Sequence, residues 1–239
     1  MDKSKISHHI SEQFNKDLED VRNKVLAMGG LVEQQLEQAI EALLSCNVEL
    51  AEQVISQDRQ IDALETAIDL ECTQILALRQ PAAFDLRLLL AVIKIIHELE
   101  RIGDKAKRIA DMAIKLDCVV NNKMPRHEMD HMIDLVKSML DHALDAFARM
   151  TVEDVPEITG RDEKVDREYD NIVRLLITHM MEDPRNITRS LDILTTVRAL
   201  ERIGDHSRYI CEHLVFMIKG ENVRHLTQEE LVDKINNPL

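Results

Sequence analysis

The sequence predicts an all-α protein built as two tandem three-helix bundles that arose by internal duplication, and three observations carry that prediction. Its 239 residues include only six glycines, five prolines and 3% aromatic side chains with no Trp, a usage that favours helices and starves sheets. Apolar residues recur at steps of three and four along most of the chain. The run Leu99-Glu100-Arg101-Ile102-Gly103-Asp104 returns letter for letter as Leu200-Glu201-Arg202-Ile203-Gly204-Asp205.

Six helices follow in order, near residues 6–45, 47–79, 83–117, 127–150, 154–182 and 187–219. In the first, Val32, Leu36, Ala39, Ile40 and Leu43 mark an apolar face, and Val136, Leu140, Ala143, Leu144 and Phe147 repeat it in the fourth. Ile61, Leu64, Ile68, Cys72 and Ile75 give the second helix its stripe. Its Asp58-x-x-Ile61-Asp62 matches Asp162-x-x-Val165-Asp166 in the fifth. The third and sixth helices carry the identical hexapeptides. Pro81, Pro125, Pro156 and Pro184 each stand where a helical pattern restarts, the helix start being where proline is tolerated.

Three anchors in one order divide the chain into a first repeat over residues 1–120 and a second over 121–220. Short loops make neighbouring helices antiparallel within each repeat. Residues 221–239 read as a polar, loosely held tail.

Thirty basic against forty-four acidic residues leave a net charge of −14. That charge and the missing aromatics exclude a nucleic-acid binder, and anionic lipid would repel the chain. The acidity suits cations or basic patches on protein partners, and it also keeps a protein soluble. Cys46, Cys72, Cys118 and Cys211 have no Cys-x-x-Cys spacing and read as reduced thiols. The polar N-terminus lacks a signal-peptide core, and the most apolar run, Leu88 to Ile96, contains Lys94 and is too short to span a bilayer. A cytoplasmic protein without membrane insertion is expected.

Four carboxylate pairs at i, i+4 are the candidate site: Asp58/Asp62 with Glu100/Asp104, and Asp162/Asp166 with Glu201/Asp205. That spacing puts both members on one helix face, where like charges cost about 0.2–0.5 kcal/mol per pair. Ile93, Ile96, Glu100 and Asp104 form one stripe that turns from apolar to acidic, and Leu194, Val197, Glu201 and Asp205 repeat it. Carboxylates drawn out of water need a proton, a cationic side chain or a metal. An all-oxygen set suits Mg, Mn, Ca or Fe and argues against structural zinc. The competing reading is a salt-bridge network with Arg101 on Glu98 and Arg202 on Asp205. Gly103 and Gly204, each costing about 1 kcal/mol inside a helix, point to close helix approach beside the acids.

Other motifs carry less. Glu128-x-x-His131 has di-iron spacing but no second copy, and Gly29-Gly30 lacks the Lys-Ser/Thr of a phosphate loop. No Ser/His/Asp or Cys/His arrangement suggests catalysis, so no enzyme is expected. The different-class alternative is a metal-storage protein or metal-dependent enzyme built on the carboxylate clusters.

The duplicated acidic motifs, the segment Arg79-Gln80-Pro81-Ala82-Ala83-Phe84-Asp85-Leu86-Arg87 and the opening from Phe14 through Met28-Gly29-Gly30-Leu31-Val32-Glu33 resemble the PhoU family over residues 6–220. The resemblance implies two three-helix bundles, a homodimer and metal clusters on the acidic motifs. It also implies repression of the phosphate-starvation response when phosphate is plentiful, acting with the ATPase subunit of a phosphate ABC importer and a membrane sensor histidine kinase. Arg108 and Tyr209, four residues past the second carboxylate of each copy, add no acidic ligand there.

Overall fold

The computed structural model describes residues 3–116 and 125–236. The helices are α1 (Lys3–Ser45), α2 (Val48–Arg79), α3 (Ala83–Lys115), α4 (Arg126–Arg149), α5 (Val155–Glu182), α6 (Ile187–Lys219) and α7 (Gln228–Asn236), and the described residues include no strand. All six expected helices are present. Asn47 starts α2 by accepting a hydrogen bond from the Leu50 amide at 3.0 Å, which satisfies one of the free donors of the first turn. Pro125 precedes α4, Pro156 lies in the first turn of α5, and Pro184 opens a 3₁₀ turn that leads into α6. Gly220 ends α6 with φ 77°, a left-handed cap that glycine adopts without strain.

Helices α1, α2 and α3 pack against one another, as do α4, α5 and α6, and the broadest contact of all joins α3 to α6. Those two central helices run antiparallel. Arg87 Nε near the start of α3 donates to the Met217 carbonyl near the end of α6 at 3.2 Å, while Lys115 and Leu116 lie beside Arg185 and Arg189 at the other end. Ile95, Leu99 and Ile102 of α3 and Val197, Leu200 and Ile203 of α6 are fully buried in a single apolar cluster, so the two repeats share one core. Helix α1 also crosses α4, and a Cβ at Gly29 would stand 2.7 Å from Leu144 Cδ2. Close packing therefore accounts for Gly29.

Two expectations are corrected. Part of the tail is ordered as α7, whose Leu231 and Ile235 are buried. Gln228 docks it on α5, accepting from Thr159 Oγ1 at 3.1 Å and donating to the Pro156 carbonyl. The reduced state does not extend to every thiol: Cys46 is disulfide-bonded, whereas Cys72 and Cys211 are free and buried. Cys118, and the expected repeat boundary near residue 120, lie outside the described residues. Among the described residues no helix is long and apolar enough to cross a membrane.

Candidate functional site

The first repeat brings its two acidic pairs to one seam between α2 and α3. Asp58 is buried, and three helices meet at its carboxylate: Lys107 Nζ of α3 donates to Oδ2 at 2.6 Å and Gln35 Nε2 of α1 donates to Oδ1 at 3.3 Å. That hydrogen bond to Asp58 raises the Lys107 ammonium pKa, with partial burial opposing. Glu100 is half-buried, and burial followed by Asp104, Glu65, Asp62 and Asp58 pushes its carboxyl up. Asp62 and Asp104 are exposed at the rim. Asp62 is also raised, by desolvation and then by Asp58, with Lys107 opposing. Gly103 stands where α3 approaches closest: a Cβ there would lie 3.0 Å from Gln35 Oε1 and 3.2 Å from Ile61 Cδ1. The close approach expected at this glycine is present.

The second repeat builds the same seam with more cation. Arg208 Nε lies 2.7 Å from Asp162 Oδ2, and its other nitrogens reach Asp205 and Glu212. Arg202 donates to Asp205 Oδ2 at 2.9 Å and lies 3.3 Å from Glu201 Oε2. Burial lifts Asp162 to about 6 although Arg208 opposes it. Burial likewise raises Glu201 against Arg202, and burial with Asp205 raises the exposed Asp166. Gly204 is less crowded than Gly103, since its nearest neighbour is Val165 Cγ1 at 3.5 Å.

Each expected quartet thus converges on its own α2–α3 or α5–α6 seam. The Arg202–Asp205 pair exists, but Arg101 does not pair with Glu98. Glu98 instead crosses between repeats, accepting from His206 Nδ1 of α6 at 2.7 Å, with His213 Nε2 3.9 Å away. Burial alone would raise Glu98; the hydrogen bond from His206 and the nearby His213 reverse that and hold it at about 2. His131 pairs with Glu168 of α5 at 2.9 Å, away from any di-iron arrangement with Glu128.

Lys107 and Arg208 are the site residues that the acidic pattern did not suggest. They were legible: extending the repeated hexapeptide three residues past Asp104 and Asp205 reaches a cation in both copies. The all-oxygen chemistry of the first-repeat quartet fits a hard cation, since one Lys offsets four carboxylates. Among the described residues, however, no three His, Cys, Asp or Glu side chains are grouped so as to hold an ion.

The family model described as "PhoU domain" matches the chain twice, over residues 25–113 and 129–214. The phosphate-specific transport system accessory protein PhoU homolog of Pseudomonas aeruginosa is 46% identical over 99% of this chain and 98% of its own length. The accessory protein PhoU of Escherichia coli K12 is 43% identical over 98% and 97%. The crystal structure of PhoU from Pseudomonas aeruginosa covers 87% of this chain and all of its own, at TM-score 0.82 and 47% identity. That of the phosphate transport system regulatory protein PhoU from Streptococcus pneumoniae covers 88% and 99%, at TM-score 0.81 and 31% identity.

Proposed function

This chain belongs to the PhoU family, and from that premise we propose that it is a non-enzymatic cytoplasmic regulator of phosphate uptake and of the phosphate-starvation response. It links the ATPase subunit of a phosphate ABC importer to a membrane sensor histidine kinase, acts as a homodimer, and keeps the response off when phosphate is plentiful. The observation that carries this reading is the near full-length match to proteins named as accessory to phosphate-specific transport. A rigid helical scaffold with a net charge of −14 suits an adaptor, because long-range attraction steers it towards basic surfaces on partners.

The reading includes a hard cation, Mg, Mn, Ca or Fe, drawn to the first-repeat carboxylates Asp58, Asp62, Glu100 and Asp104, whose side chains would have to close in to hold it, since as they stand they are not grouped around one point. Bound there, it would supply the positive charge that Lys107 alone does not. The second quartet, Asp162, Asp166, Glu201 and Asp205, already has two guanidinium groups and binds more weakly.

Deleting the gene and following a starvation-response reporter in phosphate-rich medium tests the regulatory role. The response should be switched on despite ample phosphate. A deletion strain with normal repression would end the proposal.

A further inference from the structure

Beyond the carboxylates, the α3–α6 seam opens into a groove of about 670 Å³. Helix α3 lines it with Arg101, Lys105 and Arg108, and α6 faces them with Arg198 and Arg202. These stand at i, i+4, i+7 on one helix and at i, i+4 on the other, so each helix turns a row of cations towards the groove. In a chain of net charge −14 such a concentration runs against the background. Like charges at i, i+4 repel, and the close carboxylate partners in these rows, Glu201 and Asp205, both fall to Arg202. Arg202 is held by Asp205, and Arg108 reaches Asp111 only at 3.9 Å. Among the described residues, Arg101, Lys105 and Arg198 pair with no carboxylate. Glu98, three residues before Arg101, is bonded to His206 instead.

We propose that this groove binds linear oligophosphates. Guanidinium forks match the oxygens of phosphate in geometry as well as charge. Arg101 to Arg108 spans about 10 Å of helix. An extended acidic peptide rises about 3.3 Å per residue and turns alternate side chains away, so over that length it presents about two charges to the groove. A phosphate chain carries at least one charge on every phosphorus and meets the three unpaired cations, Arg101, Lys105 and Arg198, better. No Phe, Tyr or Trp lines the groove, and the His206 ring in its wall is 8% exposed and bonded to Glu98, so a nucleobase would find little to stack on and the phosphates carry the recognition. Glu100 and Asp104 share the same rim. Oligophosphates bind Mg²⁺, and Mg²⁺ takes one or two carboxylates together with phosphate oxygens, which suits that edge. The cation rows stand independently of any resident metal.

Titrating the purified full-length protein with tripolyphosphate by calorimetry, with and without Mg²⁺, tests the assignment. Saturable binding is expected, at least tenfold tighter than for hexaglutamate. Substituting Arg101→Gln with Arg198→Gln should weaken it at least tenfold and flatten its dependence on salt. Substituting Lys16→Gln with Arg174→Gln, exposed cations on α1 and α5 outside the groove, should leave it unchanged. If melting shows the groove variant unfolded, Lys105→Gln alone is read in its place against a threefold loss. A parallel ATP titration separates the sources: tighter tripolyphosphate binding assigns the groove to linear polyphosphate, and equal affinity to the phosphates of a nucleotide. No saturable binding in either buffer, equal loss in the two double variants, or preference for hexaglutamate would overturn the proposal; the last would make the groove a docking surface for acidic protein.

Discussion

Replacing Gly103 and Gly204 separately with Ala should move stability in opposite directions, although the two glycines are repeat equivalents. Both lie inside helices, where Ala is favoured over Gly by about 1 kcal/mol. At Gly204 the new methyl meets only ordinary contacts, Val165 Cγ1 at 3.5 Å and Met139 Sδ at 3.8 Å. Gly204→Ala should therefore gain most of that ~1 kcal/mol. At Gly103 the methyl would lie 3.0 Å from Gln35 Oε1 and 3.2 Å from Ile61 Cδ1. Gln35 is not free to retreat, because its amide nitrogen holds buried Asp58 at 3.3 Å. Overpacking costs about 1–3 kcal/mol and losing that charge-assisted hydrogen bond about 1.5 kcal/mol, so after the ~1 kcal/mol helix gain Gly103→Ala should end about 1.5–3.5 kcal/mol less stable. Urea unfolding followed by far-UV circular dichroism reads both, provided the slopes match wild type. Equal shifts in the two variants, or a destabilised Gly204→Ala, would refute the claim that Gln35 fixes the α3 approach in the first repeat alone.

Other consequences follow from the same geometry. The double substitution Glu100→Gln with Asp104→Asn should lower the metal content of the purified protein without unfolding it, and unchanged content by elemental analysis would remove the first-repeat cation site. Glu98 is held at about 2 against an ordinary 4.5, so its contribution is fully present above pH 4.5 and is lost as pH falls through 2. That loss is worth at most about 3 kcal/mol at 1.36 kcal/mol per pKa unit. Glu98→Gln should flatten the stability curve within that window, and an unchanged acid slope would show that the contact with His206 contributes nothing. Leu231→Ala, which trims a buried anchor of α7, should speed amide exchange in α7 while α2 and α3 keep their protection; uniform acceleration would mean that α7 unfolds only with the whole molecule.

The helices and the repeat were readable because both are written in local pattern: stripes at three and four, prolines at restarts, and an identical hexapeptide. What escaped depends on contacts between distant segments. Arg101 and Glu98 are three residues apart, which suggested a local pair, but α6 brings His206 to Glu98 from 108 residues away. No periodicity on α3 encodes that partner. Helix α7 escaped for a related reason. Its apolar face is little more than Leu231 and Ile235, too narrow to announce a helix, and its order comes from Gln228 meeting Thr159 and Pro156 on α5.

The acidic quartets show how far a repeat can be trusted. The duplication places four carboxylates at matching positions, and both quartets do converge on matching seams. Their surroundings are not duplicated. Gln35 of α1 lies over Gly103 and binds Asp58, whereas the repeat equivalent Met139 lies over Gly204 and offers no donor. Lys107 brings one ammonium to the first quartet, while Arg208 and Arg202 bring two guanidinium groups to the second. In the first quartet burial raises both Asp62 and Glu100, with Asp58 next for Asp62 and Asp104 next for Glu100, and Lys107 opposes the rise of Asp62. Uncompensated charge, rather than the motif itself, is what attracts a cation. Identical motifs therefore need not have identical electrostatics, and the first quartet is the one with a single cationic partner beside it.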